Sequence, residues 1–211
     1  MDAVLDKTQS VVLHNISWDS YKKISDALQD ETPAHFTFDR GKLEIMVLSL
    51  KHENLKKILA MLFERLSEAL EIEIFAGGST TFQREDLERG FEPDECYYVR
   101  NAELMRGKDE VDLESDPPPD LTIEIDVKHS SLNRMSIFAA IGIPEVWRYD
   151  GEKLTIYLLE NDEYQVSESS AVLPSVESKR ISELVEVGKN SPRKEFLLQI
   201  ENYSKELKSE N

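Results

Sequence analysis

Between a run of three prolines and Lys128 the chain reads Asp120-Leu121-Thr122-Ile123-Glu124-Ile125-Asp126-Val127. Successive side chains of a strand point to opposite faces. Leu121, Ile123, Ile125 and Val127 therefore share one face, and Asp120, Glu124, Asp126 and Lys128 share the other. The aliphatic face predicts a central strand over 121–127 packed against a helix. The leading candidate for that helix lies at about 51–70, where Leu55, Ile58, Leu59, Leu62, Phe63, Leu66 and Leu70 recur at i, i+3, i+4 and i+7. The polar face, with three carboxylates and a lysine, fits either an ordinary solvated surface or a metal site.

The rest of the chain fits around these two elements. Residues 1–17 read as a polar start with a short apolar patch, Val11-Val12-Leu13. A short helix capped by Ser17 is expected over 17–30. Asp39-Arg40-Gly41-Lys42 is a hairpin turn signal between two strands in 35–49. Residues 71–85 are strand-like, broken by Gly77-Gly78, and 90–101 read as another strand with Pro93 at or before its start. Residues 102–119 form an acidic connecting loop. A helix over 130–142, capped at Ser130 or Ser131, ends at Gly142. Residues 144–150 and 153–160 pair around Asp150-Gly151, one more strand follows, and the chain ends in helices that fray into charge. This predicts one α/β (or α+β) domain over 1–211, its sheet flanked by helices. Its core spans about 20–185, and a helical tail covers about 186–211.

Composition narrows the function. The 211 residues are 40% apolar, enough for a core, while 42 acidic side chains against 25 basic ones give a formal charge of −17. Such a surface argues against coating DNA by electrostatics, which rests on Lys and Arg. It leaves room for a small basic cleft and for bound divalent cations. A single cysteine, Cys96, excludes an intramolecular disulfide and a cysteine-only zinc cluster. The N-terminus lacks a signal-peptide pattern, and no apolar run approaches the roughly 18 residues of a membrane span. A cytoplasmic protein without membrane contact is expected.

Two Pro-Asp pairs, Pro93-Asp94 and Pro119-Asp120, each open a strand-like run. Pro-Asp alone is common in turns. An acid at the head of one strand, followed some thirty residues later by acid-x-acid-x-Lys on a second, says more. Carboxylates from two paired strands can clamp Mg²⁺, which wants oxygen ligands, and a nearby Lys can orient a water. Asp120 reads as a further ligand or as a cap. Tyr97, Tyr98 and Trp147 read as packing residues, and Cys96 as a small buried one.

The segments "RGFEPDECYYV" (89–99), "PPDLTIEIDV" (118–127) and "IFAAIGIPEVWRYDGEKLTIYLL" (137–159) together resemble the Uma family of putative restriction endonucleases, a bacterial group within the PD-(D/E)XK nuclease superfamily. The resemblance runs from about residue 20 to about 185. It implies a restriction-endonuclease-like mixed sheet flanked by helices, with Mg²⁺- or Mn²⁺-dependent hydrolysis of DNA phosphodiester bonds. DNA is then the expected partner, with homodimerisation left open. Residue by residue, it implies metal ligation by Asp94, Glu124 and Glu53, the last at the start of the long helix. His52 beside it is expected at the helix entry and exposed, and is held only as a supporting group.

Two departures from the family pattern bear on the site. Two positions after Glu124 the superfamily carries Lys, and here Asp126 stands, with the basic residue displaced to Arg134 of the following helix or to Lys128. The approach to the long helix reads "MVLSLKHEN" in place of a Ser-Pro turn. The catalytic set expected on this basis is Asp94, Glu124, Asp126, Lys128 and Arg134, with Glu124 rather than Asp126 as the ligand. A catalytically degenerate module acting in DNA or protein binding is the alternative, and a hydrolase of a small phosphorylated substrate a third.

Overall fold

A computed structural model describes residues 9–28, 34–127 and 132–210. The N-terminal part comprises β1 (Gln9–His14), α1 (Trp18–Leu28), β2 (Ala34–Asp39), β3 (Lys42–Val47) and α2 (Leu50–Ala69). Short strands follow: β4 (Phe75–Ala76), β5 (Phe82–Arg84), β6 (Arg89–Phe91) and β7 (Glu95–Tyr98), then α3 (Ala102–Met105). The C-terminal part comprises β8 (Leu121–Ile125), α4 (Arg134–Ile141), β9 (Glu145–Tyr149), β10 (Leu154–Glu160), β11 (Glu163–Ser167), α5 (Ser178–Asn190) and α6 (Arg193–Glu210).

The strands form two sheets rather than the single one expected. The larger has the order β11-β10-β9-β8-β7-β4 and is mixed, because β8 and β9 run parallel while the other pairs are antiparallel. A parallel pair needs a crossover connection, and α4 lies in it. The smaller sheet, β1-β3-β2-β6-β5, is antiparallel.

The alternating strand is central, as its pattern requires. Leu121, Ile123 and Ile125 of β8 are buried in one cluster with Leu55, Leu59, Leu62 and Leu66 of α2, joined by Trp147 and Tyr149 of β9. The ordered ladder stops at Ile125, two residues earlier than expected, and Val127 packs against the edge of that cluster. On the other face a second cluster joins Cys96 and Val146 of the large sheet to Phe82 and Phe91 of the small one and to Ile137 and Phe138 of α4.

The turn between β2 and β3 shows why its sequence is legible. Arg40 and Gly41 both have positive φ, 44° and 85°. That is the hand of the tight hairpin turns that match strand twist. Gly142 likewise ends α4 with a left-handed φ of 87°, the conformation that favours glycine at a helix C-terminus.

Several boundaries differ from expectation. Gln9–His14 forms an edge strand, where only an apolar patch was legible. The segment 71–85 is strand only at 75–76 and 82–84. The segment 90–101 is split at Glu92-Pro93-Asp94: β6 belongs to the small sheet and β7 to the large one. Pro93 has no N–H to give to a ladder, so the chain changes sheets there. The acidic loop holds the short α3, and α4 starts at Arg134 under an Asn133 cap, whose side chain accepts from the Ser136 N–H at 3.3 Å. Ser130 and Ser131 lie outside the described residues. The C-terminal helix does not fray into charge: Phe196, Ile200, Tyr203 and Leu207 are buried in the α2 cluster. Among the described residues no helix is long and apolar enough to cross a membrane.

Candidate active site

The sheet change at Pro93 places Asp94 at the head of β7, next to the C-terminal end of β8. The antiparallel register pairs Glu95 with Ile123, so the next step brings Asp94 beside Glu124. The Asp94 Oδ2 accepts from the Ile125 N–H at 2.7 Å. Both acids are deeply buried, Asp94 at 2% and Glu124 at 6% exposure. They line one pocket of about 230 Å³ together with Asp126, Arg134, Arg148, His35 and His52.

Three elements supply the basic groups. Arg134, in the first turn of α4, donates to the Glu92 carbonyl at 2.6 Å and lies 3.2 Å from Glu124 Oε2. Arg148 on β9 stands in register with Glu124 and donates through Nε to Asp126 Oδ2 at 2.8 Å. His52, in the first turn of α2, places its Nε2 3.1 Å from the Ile125 carbonyl and 3.2 Å from Asp94 Oδ2. Both neighbours are acceptors, so that nitrogen carries the proton. The Ser49 hydroxyl fixes the helix start by accepting from the His52 N–H at 3.2 Å.

The electrostatics follow from burial and crowding. Burial pushes the Glu124 carboxyl up to about 8, with the Asp94 and Asp126 charges adding to it and Arg134 opposing. Asp94 is held below the usual carboxylate range: burial would raise it, and the hydrogen bond and charge of His52 outweigh that, with help from Arg134. His52 is raised in turn, because Asp94 outweighs the burial that disfavours its charge. Burial lowers His35, whose Nδ1 lies 4.0 Å from Asp94, to about 4. At the sheet junction burial raises Glu92 to about 7, against hydrogen bonds from the Phe36 N–H and the Thr81 hydroxyl.

The residues singled out in the sequence separate accordingly. Asp94, Glu124, Asp126 and Arg134 share the pocket. Glu53 does not line it: its side chain is 44% exposed, and its Oε1 lies 4.0 Å from His52 Nδ1. One residue along a helix is a turn of about 100°, so His52 faces inward and Glu53 outward. Lys128 lies outside the described residues. Asp120 acts as a cap, accepting from the Val99 and Arg100 N–H groups at 2.7 and 3.0 Å. Cys96 is buried, and burial raises its thiol. Arg148 was missed, although a charged residue inside the strand EVWRY was a signal that this strand borders something polar.

Among the described residues no three His, Cys, Asp or Glu side chains converge as a metal-ligand group. Mg²⁺ does not need three, since it is usually held by one or two carboxylates and keeps several waters. The donor set of Asp94, Glu124 and the Ile125 carbonyl is all oxygen, as hard cations prefer. Burial first, and the Asp94 and Asp126 charges second, disfavour the ionised form of Glu124; a bound cation would favour it.

No curated protein matches the chain. A solved structure, a putative nuclease belonging to DUF820 from Anabaena variabilis ATCC 29413, has the same fold at a TM-score of 0.58 and 15% identity, covering 81% of this chain and 99% of that one. The family model described as Uma2, putative restriction endonuclease, matches residues 18–188. With most of its length covered by that model, the chain belongs to the Uma2 family of putative restriction endonucleases.

Proposed function

We propose that the protein is a Mg²⁺- or Mn²⁺-dependent nuclease of the PD-(D/E)XK type that hydrolyses DNA phosphodiester bonds. The observation that supports this most is the meeting of Asp94 and Glu124, from adjacent strands, in one pocket with Arg134 and Arg148. Asp94, Glu124 and the Ile125 carbonyl would hold the metal. When bound, such an ion polarises the scissile phosphate and lowers the pKa of a bound water. His52 fixes the orientation of Asp94 and of the Ile125 carbonyl through its single Nε2–H. Arg134 stays protonated and so takes no proton; its role is to stabilise charge developing on the phosphate. Lys128, on a flexible stem, is the second basic group in this reading.

The test is Mg²⁺- and Mn²⁺-dependent cleavage of DNA by the unaltered protein beside Asp94→Asn, Glu124→Gln, Asp126→Asn and Lys128→Ala. Glu124→Gln and Asp94→Asn should abolish cleavage, and Asp126→Asn should reduce it less. Loss with Asp126→Asn but not with Glu124→Gln would move the ligand one pleat along the strand, to Asp126.

A second reading is a catalytically degenerate binding module. It is favoured by the pairing of each strand acid with its own arginine, Glu124 with Arg134 and Asp126 with Arg148. It predicts neither cleavage nor a rise in melting temperature with divalent cations, which a ligand of the folded state must cause by mass action.

A further inference from the structure

We infer that the pocket accepts an unpaired nucleotide, so that the substrate is a single strand, a frayed end or a free dinucleotide rather than intact duplex. This rests on the nuclease reading above and specifies its substrate class. The first observation is depth. Asp94 and Glu124 are almost fully buried, so the reacting phosphate must enter the pocket to meet them. A cavity of about 230 Å³ is on the scale of one nucleotide.

The second observation is the division of the lining. Beside its polar floor the pocket has an apolar wall, with Met46 and Leu48 from the end of β3 on one element and Leu132 and Met135 at the start of α4 on another. Thioethers adapt to flat rings, and covering the apolar face of an unstacked base with such a wall is favourable through the area removed from water. In a duplex the base faces are already stacked on one another. Its backbone would press phosphate against that wall and leave the wall without a partner. A splayed nucleotide satisfies both halves at once, base on wall and phosphate on floor.

The third observation is charge. Among the described residues the guanidiniums lining the pocket are Arg134 and Arg148, each paired with an acid, Glu124 or Asp126. The chain as a whole carries −17, and a duplex presents about twice the phosphate charge per length that one strand does.

The experiment uses the full chain carrying Glu124→Gln, with Mg²⁺, and reads fluorescence anisotropy of a labelled strand of about 12 nucleotides, a length typical of single-strand sites. The same strand annealed to its complement as a blunt duplex is the second probe. The single strand should bind about tenfold tighter or more, the scale of one stacked base. Met46→Glu and Leu48→Asp, each checked for an unchanged thermal unfolding curve, should weaken the single strand at least about fivefold and leave the duplex unaffected. An unlabelled dinucleotide that competes fully identifies a small phosphodiester as sufficient; failure to compete assigns the site to a longer strand. The unaltered protein should cleave the same two probes in the same order. Equal or tighter duplex binding, or faster duplex cleavage, overturns the inference and leaves the nuclease standing. Absence of both binding and cleavage on every probe and metal overturns the inference and the nuclease reading together.

Discussion

Glu124 and Glu145 are both buried glutamates on parallel neighbouring strands, yet their surroundings are opposite. Glu145 is fully buried, and its Oε1 accepts from Trp147 Nε1 and the Ser170 hydroxyl at 2.6 Å each. Its Oε2 accepts from the Ala171 and Val172 N–H groups at 2.8 and 3.0 Å. Four donors surround the carboxylate and tie β9 to the segment before α5. Glu124 has Arg134 and the Asp94 backbone N–H, and faces the charges of Asp94 and Asp126. A buried acid costs free energy unless donors replace its water. At Glu145 they do, so that acid serves the fold. At Glu124 they do so only in part, and burial together with the neighbouring acids pushes its carboxyl up.

The largest effect should come from Glu145→Ala. It removes four hydrogen bonds and strands their buried donors, at about 3–5 kcal/mol of stability measured by urea unfolding. A loss below about 1 kcal/mol would dissolve the contrast between the two acids.

Ile125→Ala separates the two faces of β8. It empties a site packed against α2 and should cost ~2–4 kcal/mol, with no direct change to the pocket's charges. If it costs nothing, β8 is not the packed centre of the sheet.

Asp94→Asn should fall lower, at about 1–2 kcal/mol. The amide oxygen can still accept from the Ile125 N–H, but the charge that faces His52 is gone. A loss as large as that of Glu145→Ala would class Asp94 with the structural acids.

Glu124→Gln comes last because it should cost no stability, and its effect grows with pH. With the folded carboxyl at about 8 and the ordinary value at 4.5, the folded protein keeps a proton that the unfolded chain has already lost. Stability therefore falls as pH rises through that window. Glutamine mimics the protonated form and does not titrate. In metal-free buffer the variant should match the unaltered protein near pH 5 and exceed it near pH 9 by about 1–3 kcal/mol. Parallel melting curves across that range, or a variant less stable at pH 9, would show that Glu124 is as well solvated by the protein as Glu145.

The alternation of 121–127 and the 3.6-residue period of 51–70 were legible because each is a local pattern whose burial leaves few choices of partner. The turn at Arg40-Gly41 and the helix end at Gly142 were legible for a related reason: glycine takes a backbone of that hand without steric cost. Asp94 and Glu124 were named as ligands through the family resemblance; their places at a strand head and on a polar face fitted a solvated surface as well as a metal site. Other features depend on what lies beside a residue in space. Pro93 showed that a ladder is interrupted, but not that the chain passes into a second sheet. Glu53 and His52 are adjacent in sequence, and only the docked rotation of α2 turns the imidazole, not the carboxylate, toward Asp94. Arg148 enters the pocket because β9 pairs in register with β8, a long-range choice that no local window contains. Glu145 could have been one more strand-end charge until Ser170, Ala171 and Val172 folded over it. The sequence by itself determined the long helix, the central strand and which of their faces must be covered, because propensity and period act within a few residues; the edge strand Gln9–His14 and the short α3 were not legible in it. Which polar groups meet across those faces was decided by the tertiary structure alone, because sheet order, register and helix rotation are set by the packing of distant parts of the chain.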